Sequence, residues 1–284
     1  MDAHARAANA AVERRLIEAE LPLELLWCPE SADAARAPLL FVHGGYVAAW
    51  CWEEHFLPWF ASRGFPAYAL SLRGHGRSGG REQLDGFGLA DYARDVAAAV
   101  RALPRPPVLV GHSMGGLVVQ KFLEAEGPAA IAGAVLACPV PSYGLLPSTF
   151  ALAFTRPALF AGLNSLAAGG AGGLEHLAEA MFAQPIPRER LAAVYGRMRR
   201  ESRRALVEMS GFGLPMHWRV RAPALMALGA ERDLLTPASG VRASARLLGA
   251  EYRELPGMGH AVMLEQGWRE AAGAIAGWLE ARGL

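Results

Sequence analysis

Short apolar runs alternate with stretches whose apolar positions recur at helical spacing, from Leu21 almost to the end of the chain. The runs predict strands over Leu21–Cys28, Pro38–His43, Phe65–Ser71, Pro107–His112, Ile131–Cys138, Ala222–Gly229 and Glu251–Leu255. The helical patterns fall between them, at Glu53–Ser62, Leu89–Leu103, Met114–Glu126, Ala238–Leu248 and Gly267–Arg282. Strand and helix in strict alternation predict an α/β fold, a mostly parallel, doubly wound sheet with helices on both faces. Before the first run, MDAHARAANAAVERRLIEAE carries scattered charges and no uninterrupted apolar core, which predicts a short amphipathic helix rather than a secretory signal.

The alternation fails once. Between Pro139 and Arg221 strand signals give way to apolar sequence rich in proline and glycine, then to an arginine-laden helical stretch from Arg188 to Met209. An insertion of that length between two strands predicts a helical cap over the sheet edge rather than a bare loop. The expected organisation is a core of residues 1–138 and 222–284 with a cap at 139–221. The most apolar part of the insertion, Leu145 to Leu174, is interrupted by Pro147, Arg156, Pro157 and the Gly169-Gly170 pair, so it makes a poor membrane span.

One corner carries chemistry. The strand ending at His112 meets Gly111-His112-Ser113-Met114-Gly115 just where the next helix begins, the G-x-S-x-G pattern in its strand, turn and helix context. A serine at such a corner is held in a strained conformation with its hydroxyl projecting at the carboxyl end of the sheet. It needs a base, and the base needs an orienting acid. His260, in Gly257-Met258-Gly259-His260 after the last strand, is the only histidine beyond His217. After the preceding strand come two candidate acids, Glu231 and Asp233; Asp233 is the expected one, and Glu231 remains the alternative. Oxyanion donors are expected from the N–H of Met114 and, in the loop His43-Gly44-Gly45-Tyr46, from that of Gly45. His43 and His112 read as structural histidines bracing these loops, and Trp50 and Trp52 as packing residues.

The His43-Gly44-Gly45 loop, the Ser71-Leu72-Arg73-Gly74-His75-Gly76-Arg77-Ser78 segment, the serine corner, Asp233 and Gly259-His260 together resemble the α/β-hydrolase superfamily. Within it the chain is similar to bacterial serine carboxylesterases and to lysophospholipase- and monoacylglycerol-lipase-like enzymes. The resemblance implies an α/β-hydrolase fold and cofactor-independent ester hydrolysis through an acyl-enzyme. Other serine-dependent chemistries on the same scaffold stay open: carbon–carbon bond hydrolysis, perhydrolysis, lactone or macrolide esterase activity, or a non-catalytic binding protein. Gly74-His75-Gly76-Arg77-Ser78-Gly79 also satisfies the dinucleotide-binding pattern. No helix start is expected after it to receive a pyrophosphate, so it reads as a loop at the rim of the site.

Within the cap, Phe150, Leu152, Phe154, Leu159, Phe160, Met181 and Phe182 are candidate linings for an apolar cleft, with Tyr46 beside them as a substrate contact. The arginine run, offset by Glu189, Glu201 and Glu208, reads mostly as a solvated helix face. Composition narrows the partners. A net charge of +1 and a 52% hydrophobic content predict a folded protein with no affinity for nucleic acid and no stable membrane insertion. Lys121 is the only lysine, which leaves little scope for Schiff-base chemistry. Cys28, Cys51 and Cys138 read as buried thiols of a cytoplasmic protein rather than as disulfide or metal ligands. The expected partner is a small-molecule ester; no metal or cofactor is expected, and the oligomeric state is left open.

Overall fold

The computed structural model describes residues 11–29, 36–167 and 174–284. Eight strands form one sheet: β1 (Glu13–Ile17), β2 (Leu23–Trp27), β3 (Leu39–Val42), β4 (Ala67–Leu70), β5 (Val108–His112), β6 (Gly133–Ala137), β7 (Leu225–Ala230) and β8 (Glu251–Leu255). Their order is β1-β2-β4-β3-β5-β6-β7-β8. The β1–β2 and β2–β4 pairings are antiparallel and all others parallel. This is the α/β-hydrolase fold.

Side-chain alternation splits the core into two layers. Leu39 and Phe41 of β3, Val108 and Val110 of β5, and Val135 and Ala137 of β6 face one side. There they meet α1 (Trp50–Glu53), α2 (Phe56–Ala61) and the C-terminal helix. The intervening Leu40, Val42, Leu109, Ala134 and Leu136 face the other, against α3 (Leu89–Arg101) and α4 (Met114–Glu126). Because both faces are covered, β3, β5 and β6 are buried throughout and read as continuous apolar runs. Trp52 packs in this core against Phe41 and Phe56, with ring centroids at 4.9 and 5.1 Å.

The order continues with α5 (Leu146–Thr155), α6 (Pro157–Ala167), α7 (Leu174–Met181), α8 (Arg188–Arg197) and α9 (Arg203–Val207), all between β6 and β7. Then come α10 (Ala238–Leu248) and α11 (Trp268–Glu280). The Gly169-Gly170 pair and the first ten residues lie outside the described residues. No helix of the described residues is long and apolar enough to cross a membrane.

Three expectations need correction. The N-terminal stretch is not helical over Glu13–Ile17 but pairs as β1 with β2, whose outer edge would otherwise be left open. Its exposed Glu13, Arg14 and Arg15 suit an edge strand. The single helix expected over Glu53–Ser62 is two short helices. In an unbroken helix Pro58 would clash with the Glu54 carbonyl, whereas restarting at Phe56 puts it in a first turn, where no N–H is needed. The arginine-rich stretch also breaks. Met198 turns extended, and the chain re-enters a helix only at Arg203, where the Ser202 hydroxyl accepts the Ala205 N–H.

Candidate active site

Three described residues other than glycine have positive φ, and all lie at the carboxyl end of the sheet. They are Tyr46 (+66°) after β3, Ser113 (+52°) after β5 and Cys138 (+44°) after β6. Such conformations cost of order 1–3 kcal/mol each and persist where the surroundings over-determine them. At the serine corner the determinant is close backbone approach. A Cβ on Gly111 would lie 2.5 Å from the Gly115 carbonyl oxygen, and one on Gly115 would lie 2.4 Å from that of Val42. With glycine at both positions α4 drops directly onto the strand ends.

Ser113 Oγ stands 3.0 Å from His260 Nε2, and His260 Nδ1 stands 2.7 Å from Asp233 Oδ2. The Asp233 carboxylate accepts three further hydrogen bonds, from the Leu235 and Thr236 amides at 2.8 and 2.9 Å and from the Thr236 hydroxyl at 2.7 Å. Burial by itself would raise its pKa. The adjoining His260 and the Thr236 donors outweigh burial and hold it below the ordinary carboxylate value. Glu231, the alternative acid, turns away: its carboxylate accepts the Gly257 N–H at the exposed side of the loop.

Two buried histidines brace this arrangement. His43 Nδ1 donates to the Gly44 carbonyl at 2.7 Å, and Nε2 accepts the Leu72 N–H at 3.1 Å. His112 Nε2 donates to the His260 carbonyl at 2.9 Å. Burial pushes the pKa of each down to about 3, so both stay neutral. Beside them the Gly45 N–H donates to no group among the described residues. Met114, as the first residue of α4, has no intrahelical acceptor for its own N–H. Both expected oxyanion donors are therefore uncommitted at the serine corner.

The insertion reaches the site at two points. The Met181 carbonyl accepts the Ala261 N–H at 2.8 Å, and the Ala183 and Gly259 amides share Glu265 Oε1 at 2.7 and 2.8 Å. Met181 and the buried Phe182 thus lie against the His260 loop. Phe150 and Phe154 do not. They stand 63% and 88% exposed on α5, a helix with no buried residue. Their apolar character made them candidates, but a helix that packs no face into a core turns such residues to solvent.

The second contact was not foreseen. Glu201, expected on a solvated helix face, is fully buried behind the Gly45–Tyr46 loop. Its carboxylate meets His75 Nε2 at 3.1 Å, the Tyr92 hydroxyl at 2.8 Å, its neighbour's Ser202 N–H at 2.7 Å and the Tyr46 N–H at 3.3 Å. The break after α8 turns this residue inward, and no local pattern announces that break.

Among the described residues no cluster of three or more histidine, cysteine, aspartate or glutamate side chains could hold a metal ion. The chain matches the Alpha/beta hydrolase family over residues 39–274. It belongs to that family. It is similar to the monoacylglycerol lipase of Mycolicibacterium smegmatis, 26% identical over 266 residues covering 89% of this chain and 91% of the relative. A shorter stretch of 105 residues is 39% identical to the non-heme chloroperoxidase of Streptomyces lividans and spans only 37% of each chain. The solved structure of an esterase from Rhodococcus sp. ECU1013 superposes with a TM-score of 0.70 at 21% identity, covering 95% of this chain and 98% of that one.

Proposed function

We propose that this alpha/beta hydrolase is a serine carboxylesterase acting on hydrophobic carboxylic esters, with residues 139–221 as its cap. One observation carries the reading: the continuous Ser113–His260–Asp233 relay at 3.0 and 2.7 Å, beside two uncommitted amides. His260 Nε2 is free to accept because Nδ1 carries the proton that faces Asp233. Ser113 Oγ attacks the ester carbonyl as its proton passes to His260. The tetrahedral oxyanion is held by the Gly45 and Met114 N–H groups. Collapse breaks the carbon–oxygen bond of the leaving alcohol, which takes the proton from His260. Water, deprotonated by His260, then attacks the acyl-enzyme and releases the acid with Ser113 restored.

On this reading Met181, Phe182 and Tyr46 meet the apolar acyl or alcohol group of the ester. The chloroperoxidase-like stretch favours a second reading of the last step, in which hydrogen peroxide replaces water and the product is a peracid. The deciding experiment is hydrolysis of p-nitrophenyl esters from acetyl to palmitoyl by the wild type and by Ser113→Ala, with and without peroxide. Turnover lost in the variant supports the esterase, and peracid formed in the wild type identifies perhydrolysis. Equal turnover in the two proteins overturns the mechanism. No turnover in the wild type, with no labelling of Ser113 by a fluorophosphonate, moves the reading to a non-catalytic binding protein.

A further inference from the structure

Hydrogen-bond partners dictate the protonation of four buried histidines around the site. His43 has one donor and one acceptor partner, and His260 faces a carboxylate and a hydroxyl, so both are satisfied as neutral rings; His112 donates once to a carbonyl, its buried Nδ1 has no partner, and a single proton on Nε2 suffices there too. His75 differs. Its Nδ1 faces the Arg73 carbonyl at 3.0 Å and its Nε2 the Glu201 carboxylate at 3.1 Å, two groups that only accept. Satisfying both requires a proton on each nitrogen, the imidazolium.

This ion pair sits directly behind the proposed oxyanion loop. A Cβ on Gly45 would lie 3.4 Å from Glu201 Oε2. The same segment of the insertion grips Tyr46 at both polar backbone groups: Glu201 takes its N–H, and the Arg199 N–H donates to its carbonyl at 2.9 Å. Tyr46 is thereby held at its positive φ, with the Gly45 N–H left for the substrate. An uncompensated carboxylate at this position would repel the very charge that the loop is to stabilise.

Resting on the serine-hydrolase reading above, we propose that Glu201 and His75 are positioning residues of the oxyanion loop. Glu201 fixes the loop from the cap, and the His75 imidazolium cancels its negative charge so that an oxyanion can form. The other groups facing the pair do not supply that compensation. His43, its ring centroid 5.0 Å from that of His75, is neutral. Tyr46 and Tyr92 are phenols whose ionisation is pushed up, first by burial and then by Glu201. Asp95 is committed to Arg73, and Arg81 opposes the charge on His75. Burial also opposes the imidazolium, but Glu201 and the Arg73 carbonyl prevail and raise its pKa above the ordinary value. In the same pair, Glu201 is lowered to about 2.

The test combines His75→Gln, Glu201→Gln and the double variant, each checked for folding by thermal melting, with kcat and KM measured across pH on a p-nitrophenyl ester. His75→Gln should lower kcat by ~10–100-fold with little change in KM, because the oxyanion exists only in the transition state. Glu201→Gln in that background should recover most of the loss, since it removes the stranded charge and keeps the shape. In the wild type kcat should fall as rising pH deprotonates His75, and this alkaline fall should vanish in Glu201→Gln. NMR of protein carrying 15N-labelled histidine should show one ring doubly protonated near neutral pH, its signal lost in His75→Gln. A kcat in His75→Gln within about threefold of wild type, a double variant no better than the single one, or no doubly protonated ring overturns the proposal. Fluorophosphonate labelling of the wild type separates the two readings. If Ser113 labels but the variants behave alike, this proposal alone has failed; if it neither labels nor turns over, the esterase reading has failed and this one with it.

Discussion

Two carboxylate–histidine pairs lie buried at the same end of the sheet, Asp233 with His260 and Glu201 with His75, and they differ in what the second ring nitrogen faces. For His260 it is the Ser113 hydroxyl, which can donate a proton; for His75 it is the Arg73 carbonyl, which cannot. One ring can therefore remain an acceptor while the other must carry a charge. The carboxylates are comparably buried, so depth does not separate the roles. A single partner atom does, and it decides which pair is suited to move a proton and which to hold one.

The largest break in this comparison is Ser113→Ala, expected to lower ester turnover by ~10⁴–10⁶-fold without lowering thermal stability. The helix corner stays built, and a residue strained at positive φ is replaced by one of similar size. Next comes the acid. Asp233→Asn should cost ~10²–10⁴-fold in kcat, whereas Glu231→Gln should leave kcat within about threefold. The reverse order, measured on one ester, would transfer the role to Glu231. Thr236→Val removes one donor from Asp233 and should lower kcat by about tenfold with KM unchanged, by allowing the carboxylate to rotate away from His260.

The second pair is probed through stability. His75 is raised in the folded state, so its contribution is complete below its ordinary value of 6.5 and is lost as pH rises through the folded one. Glu201 is lowered, so its contribution is complete above 4.5 and is lost only as pH falls toward about 2. Thermal stability of the wild type relative to the His75→Gln/Glu201→Gln double variant should thus be greatest between 4.5 and 6.5 and decline on the alkaline side. The smallest effect is expected from Phe154→Ser, within about 0.5 kcal/mol of wild-type stability by chemical denaturation, because that ring is already in water.

Much of this molecule is legible locally. The central strands announce themselves because both their faces are covered, and the serine corner does so because close backbone approach tolerates only glycine at Gly111 and Gly115. His260 could be picked out because its place after β8 follows from the alternation of strands and helices. The misreadings have a common cause. β1 is a strand because β2 offers an open edge, Phe150 and Phe154 are exposed because α5 packs no face into a core, and Glu201 is buried because the chain breaks after α8.

The sequence by itself determined the parallel sheet, the glycine-framed corner and the candidates Ser113, Asp233 and His260, since each depends on periodicity or on contacts between near neighbours. Only the tertiary structure decided that Asp233 rather than Glu231 faces His260, and that Glu201 lies 126 residues along the chain from the His75 it meets. Those outcomes turn on which polar atom finds which partner once water is excluded. Residue spacing cannot encode such a choice, because it is made between segments that meet only when the sheet has closed.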